Sequence, residues 1–159
     1  MGIVCKKPAH VPIETELYTI GYEGINIDDF IKQLKTSGVS KLIDVRDIPF
    51  SRKKGFSKEV LKETLEDNNI KYFHFKPLGS PASLRSKLKE DGDYDYFFRT
   101  YNKYLSQHID AIKEVIKIIS ENVGCLMCFE KDHTKCHRSV VADIIEEYSG
   151  NKLKIRHIF

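Results

Sequence analysis

The segment from Val123 to Ile145, VGCLMCFEKDHTKCHRSVVADII, constrains the fold of this chain more than any other. It opens with a short apolar run, Val123 to Phe129, whose length and polar flank suit a buried strand. A polar loop, Glu130 to Lys135, then enters Cys136-His137-Arg138-Ser139, after which Val140, Val141, Ile144 and Ile145 fall at helical spacing. The spacing predicts a strand, a loop and a helix whose first turn carries Cys136, His137 and Arg138. Junctions of this kind serve α/β proteins as anion sites, because the first N–H groups of a helix lack partners within it. Cys128, Glu130, Asp132, His133, Cys136, His137 and Arg138 crowd together here, so the chemistry is expected here too.

The rest of the chain repeats the alternation. Strands are expected around Leu17–Ile20, Lys41–Val45, Ile70–Phe75 and Lys152–Ile158, besides the one ending at Phe129. Asn26 or Asp28 can cap a first helix built on Ile27, Phe30, Ile31 and Leu34, and Ser57 caps a second built on Val60, Leu61 and Leu65. Apolar residues from Tyr94 to Ile119 make one long helix or two joined near Gln107. The order predicts a three-layer αβα fold, with a mainly parallel sheet of about five strands and helices on both faces. Residues 1–16, with Pro8 and Pro12, read as an N-terminal arm, in which Ile3-Val4-Cys5 can add an edge strand; residues 17–159 read as one α/β domain.

Length and charge agree. A chain of 159 residues can bury the core of one domain. No run approaches the roughly 20 apolar residues of a membrane span, and the N-terminus has no apolar signal core. A cytoplasmic protein with Cys5, Cys125, Cys128 and Cys136 reduced is therefore expected. The net charge of +3 permits a polyanionic partner without demanding one.

In parallel sheets ligands gather beyond the carboxyl ends of the strands. That rule collects Gly21-Tyr22-Glu23, Asp44 and Arg46, His74, Cys128 to Glu130 and Cys136 to Arg138 at one rim. Asp44 and Arg46 straddle Val45, so both point to one side: a surface ion pair, or a carboxylate steadying an anion-binding guanidinium. Arg138 opposes the helix dipole unless an anion or a carboxylate such as Asp44 or Glu130 lies near it. Cys125 and Cys128, three apart on a strand, face opposite ways, which spoils a shared zinc knuckle and makes Cys125 a core residue. A metal held by Cys128, Cys136 and His137 stays open as an alternative, as does a nucleophilic Cys128. No cofactor or metal is otherwise expected.

Taken together, Tyr18-Thr-Ile-Gly-Tyr22, Ile43-Asp-Val-Arg46 with Pro49 and Ser51-Arg52, Tyr72 to His74 with Leu78-Gly79, Leu126 to Glu130 and Cys136-His137-Arg138 resemble the domain of unknown function 488 family. The resemblance runs from about Tyr18 to Tyr148 and implies a compact three-layer α/β fold, without an activity. Where many members carry Gly-His-Ser, this chain has Gly21-Tyr22-Glu23, so no role for a histidine there is carried over. Ile43-Asp-Val-Arg46 and Arg138-Ser139 are also reminiscent of rhodanese domains. The ten positions from Cys128 to Arg138 exceed the cysteine-to-arginine loop of that fold.

The expected function is binding of an anionic ligand at the strand rim, whether nucleotide, phosphorylated metabolite or nucleic acid. Arg46, Arg52 and Arg138, with Ser51 and His137, are the anion-binding candidates. Glu130, with Asp44 behind it, and Cys128 are the catalytic candidates. The competing classes are a non-catalytic nucleic-acid-binding module and a rhodanese-like cysteine-dependent transferase. A zinc-stabilised structural domain is a third. No membrane partner is expected.

Overall fold

The computed structural model describes residues 15–159. The arm thus lies outside the described residues except for Thr15 and Glu16, which open the first strand, and so does the Ile3-Val4-Cys5 edge strand. Five strands are present: β1 Thr15–Gly21, β2 Lys41–Asp44, β3 Lys71–His74, β4 Gly124–Cys128 and β5 Leu153–His157. Six α-helices accompany them: α1 Ile27–Thr36, α2 Lys58–Asp67, α3 Ala82–Asp91, α4 Tyr94–Ser106, α5 Ile109–Ile119 and α6 Arg138–Tyr148. The strands form one sheet in the order β3-β2-β4-β1-β5, every neighbouring pair parallel.

The sequence patterns explain the layers. Asn26 caps α1, its side chain accepting from Asp29 N at 2.9 Å, and the helix buries Phe30, Ile31 and Leu34. Together with Leu61 and Leu65 of α2 they cover one face of the sheet. Val60 departs from its expected place and is 52% exposed. Ser57 stands at the N-cap of α2 as expected but makes no side-chain cap bond; its hydroxyl donates to Ser51 O and accepts from Ser51 N, closing the loop before the helix. The other face is covered by α4, α5 and α6, through Phe97, Tyr101, Leu105, Ile112, Val115, Val141 and Ile145, with Leu84 of α3 at its margin. The long apolar pattern is two helices, broken at Gln107-His108.

Every residue of β4 is buried, since the strand is central and covered on both faces. Cys125 and Met127 look into the α1/α2 layer, and Leu126 and Cys128 into the α4–α6 layer. Cys125 and Cys128 thus do face opposite ways. Burial of Leu126 and of Met127 each contributes roughly 1.5–3 kcal/mol. Crossovers from β1 and β2 run toward one sheet edge, whereas those from β3 and β4 run toward the other. Connections of one hand running in opposite directions put their helices on opposite faces. The chain therefore parts between β2 and β4, and a crevice opens at their carboxyl ends.

Candidate functional site

On the β2 side of the crevice stands a closed polar cluster. Asp44 is fully buried and receives Arg46 through two bonds, Nε to Oδ1 at 2.9 Å and Nη2 to Oδ2 at 2.7 Å. Arg46 Nη1 also donates to Phe56 O at 2.7 Å and to the Tyr22 hydroxyl at 3.3 Å. Tyr72 donates its hydroxyl to Asp44 Oδ2 at 2.5 Å. Burial alone would lower the Arg46 pKa, but the bonds and charge of Asp44 outweigh it and raise that pKa above its ordinary value. Burial, then the Asp44 charge, pushes the Tyr72 hydroxyl up in turn. As the period of two required, Asp44 and Arg46 lie on one side of the strand. Their pairing leaves a single Nη2 hydrogen of Arg46 for any ligand.

The β4 side is held by different means. Arg138, the first residue of α6, is fully buried and folds back over the loop that precedes it. It donates to Thr19 Oγ1 at 3.2 Å, to Lys131 O at 3.1 Å and to Glu130 O. Each acceptor is neutral, and Arg138 makes no ion pair among the described residues. Among the described residues loop carbonyls, not a carboxylate, meet this guanidinium, so it clamps the loop. Gly21 completes the clamp, because a Cβ there would overlap the Glu130 carbonyl. Several N–H groups of the loop already have acceptors. Lys131 N donates to Glu23, Thr134 N to Asp132, Lys135 N to Asp132 O and Cys136 N to His133 O.

Between the two sides lie Cys128, Cys136 and His137, at most 5% exposed, with ligand-type atoms within 4.8 Å of one another. His137 Nε2 donates to Val45 O at 2.7 Å, which spans the crevice from α6 to the end of β2. With Nε2 committed, Nδ1 is the free ring nitrogen, and Cys128 Sγ lies 3.8 Å from it and 4.0 Å from Nε2. The edge of the Tyr101 ring packs on the imidazole at 5.3 Å, and Tyr101 is itself anchored to Leu78 O at 2.5 Å. Its neighbour Cys136, and burial, push the Cys128 thiol up. Burial opposes a thiolate at Cys136 as well, but hydrogen bonds to Cys128 and His137 and the charges of His137 and Arg138 hold it well below its usual value. Burial pushes the Glu130 carboxyl up to about 7, with the Cys136 charge adding to it. Glu130 Oε2 is buried and has no hydrogen-bond partner among the described residues.

Cys128, Glu130 and His137 floor a cleft of about 380 Å³, which Cys136 does not line. Its lip includes Arg46, Asp47 and Ser80, and its far wall is the α3–α4 pair with Arg85, Lys89 and Phe97. Arg85 bonds Asp47 Oδ2 at 3.2 Å and Ser80 O, tying that wall to the β2 exit. Lys89 and Lys135 line the cleft without an ion pair among the described residues.

Of the residues singled out in the sequence, Arg46, Cys128, Glu130 and His137 meet in this cleft. Asp44 stands behind Arg46. Arg138 lies beneath the loop, Arg52 is exposed and Ser51 is spent on the Ser57 loop; none of these three lines the cleft. Sequence reasoning missed Asp47, Arg85, Lys89 and Lys135. Arg85 and Lys89, four apart and so on one face of a helix, were the available signal.

No curated protein and no solved structure matches the chain. The family model described as domain of unknown function DUF488 matches residues 26–145, from the cap of α1 to the last buried turn of α6. That span carries β2, β4 and the whole Cys128–Glu130–His137 floor, and so the chain belongs to the DUF488 family.

Proposed function

We propose that the protein binds an anionic small molecule in the β2/β4 crevice and acts on it there through Glu130, His137 and the paired cysteines. The observation that carries this reading is Glu130 Oε2, a buried carboxylate oxygen with no hydrogen-bond partner among the described residues, in a cleft that also holds two lysines in no ion pair among those residues. An unsatisfied buried acceptor costs about 1–3 kcal/mol, and a site retains such a group where a ligand or solvent molecule completes it. Lys89 and Lys135 supply the attraction for an anion, and Arg85 and the last Nη2 hydrogen of Arg46 supply direction. Three of the anion-binding candidates, Arg52, Ser51 and Arg138, take no part in this version, and His137 acts at the floor. Uncompensated cations gathered in one concavity of small-molecule size favour a metabolite over a nucleic-acid polymer, which needs a broad basic face.

Calorimetric titration with inorganic phosphate and with nucleoside monophosphates at low salt tests the proposal. Binding should weaken by about fivefold for each of Lys89→Ala and Lys135→Ala, the size of a partly exposed ion pair. Equal affinity in the double variant and the parent protein would sink it.

A further inference from the structure

We propose that Cys128, Cys136 and His137 are ligands for a divalent metal ion of the zinc class, with the fourth coordination position open toward Glu130 and the cleft. This deepens the reading above, since it names the chemistry of the cleft floor, but the site stands on its own geometry.

The three side chains are buried and come from two pieces of chain, the end of β4 and the entry to α6. All three candidate ligand atoms lie within 4.8 Å of one another, and Cys128 Sγ is 3.8 Å from His137 Nδ1. Metal–sulfur and metal–nitrogen bonds of about 2.3 and 2.0 Å in a tetrahedron put such atoms about 3.5–3.8 Å apart. The observed group is thus near ligand spacing, and small rotations about the side-chain bonds close the remainder. The imidazole is also set as a ligand would be. Its Nε2–H is fixed by Val45 O at 2.7 Å, which leaves Nδ1 as the ring nitrogen free for a metal. Donation of the far nitrogen to a backbone carbonyl is the usual outer support of a metal-bound histidine.

Charge and hydrogen bonding supply two independent arguments. Arg138 is a fully buried cation that makes no ion pair among the described residues, an arrangement that is costly unless negative charge lies close by. Two thiolates and the Glu130 carboxylate around a divalent ion leave one negative charge, which Arg138 balances. Glu130 Oε2 then has the partner it lacks, a water on the metal. Three protein ligands with one open position is the pattern of catalytic rather than structural zinc. Metal-bound water gives up a proton readily, and Glu130 stands where it can take that proton. Cys125 takes no part, being in the opposite layer of the sheet.

The test uses the full chain, reduced and freed of metal with a chelator, and Co²⁺ as the probe. Expected are stoichiometric binding, tetrahedral visible bands and a near-ultraviolet thiolate-to-cobalt band, all displaced by Zn²⁺. Cys136→Ser and His137→Gln should lose the bands, while Cys125→Ala and Glu130→Gln keep them. Far-ultraviolet dichroism on each variant separates loss of a ligand from loss of the fold. If Cys136→Ser unfolds, the thiolate band intensity of the parent protein still counts the sulfur ligands. Reduced, folded protein that takes up no cobalt, or bands that survive Cys136→Ser, would overturn the site. The outcome for the anion is separate: the Lys89→Ala, Lys135→Ala double variant should keep the cobalt bands whether or not it binds phosphate.

Discussion

Arg46 and Arg138 are both buried at the same rim of the sheet, yet they are held in opposite ways. Arg46 meets a carboxylate two residues away on its own strand, in a bidentate pair that Tyr72 completes from β3. Arg138 meets carbonyls and a threonine hydroxyl, and spends its donors on the shape of the Glu130–Lys131 loop. The first arrangement is self-contained: its charge is cancelled and its geometry set by neighbours in the sheet. The second carries a charge past its own hydrogen bonds to whatever lies beside it, which is the Cys136 and Glu130 cluster. A buried arginine at a strand end is therefore not by itself an anion site. What decides is whether a carboxylate has already met its charge.

The sharpest way to break the comparison is to remove the carboxylate. Asp44→Ala leaves Arg46 as an uncompensated buried charge and should cost about 3–5 kcal/mol in urea unfolding. A loss no larger than that of an Arg138 variant would show that the two guanidiniums are held alike. Arg138→Met should cost less, roughly 1.5–3 kcal/mol, because the freed carbonyl of exposed Lys131 can turn to water. The same variant should weaken any metal at the Cys136 site by about 10–100-fold, as loss of an outer support does. Unchanged cobalt affinity would confine Arg138 to the loop. Tyr72→Phe removes one hydroxyl from a carboxylate that keeps both Arg46 bonds, and should cost about 1.5 kcal/mol by the same measurement. A larger loss would mean that Tyr72 holds Asp44 in place as well as satisfying it.

How much of this was legible depends on the distance over which each feature is decided. The α1 cap, confined to Asn26 or Asp28, the opposed faces of Cys125 and Cys128, and the shared side of Asp44 and Arg46 follow from neighbours a few residues away. Local period and hydrogen-bonding chemistry set them, and they were read directly from the chain. Val60 fits the apolar pattern of α2 yet is exposed, because a helix of ten residues at the sheet margin buries a narrow stripe. Ser57 stands at the cap position, but its hydroxyl oxygen accepts from Ser51 N–H instead of from the first turn of the helix. Gly21 stood out in sequence only as a strand end. Its real constraint is the Glu130 carbonyl, over a hundred residues further along.

The sequence by itself determined the parallel α/β alternation, the gathering of strand ends at one rim, and the short segment in which the reactive residues lie. Those are matters of periodicity and of covalent nearness. Only the tertiary structure decided which strands stand side by side, and so which exits share a crevice. The order β3-β2-β4-β1-β5 sets Val45 beside His137, brings Arg85 and Lys89 over the floor, and leaves Arg52 outside. It also decided that Arg46 would be answered by Asp44 and Arg138 by carbonyls. A side chain's type announces the charge it carries, but its partner is chosen by packing among segments that the sequence keeps far apart.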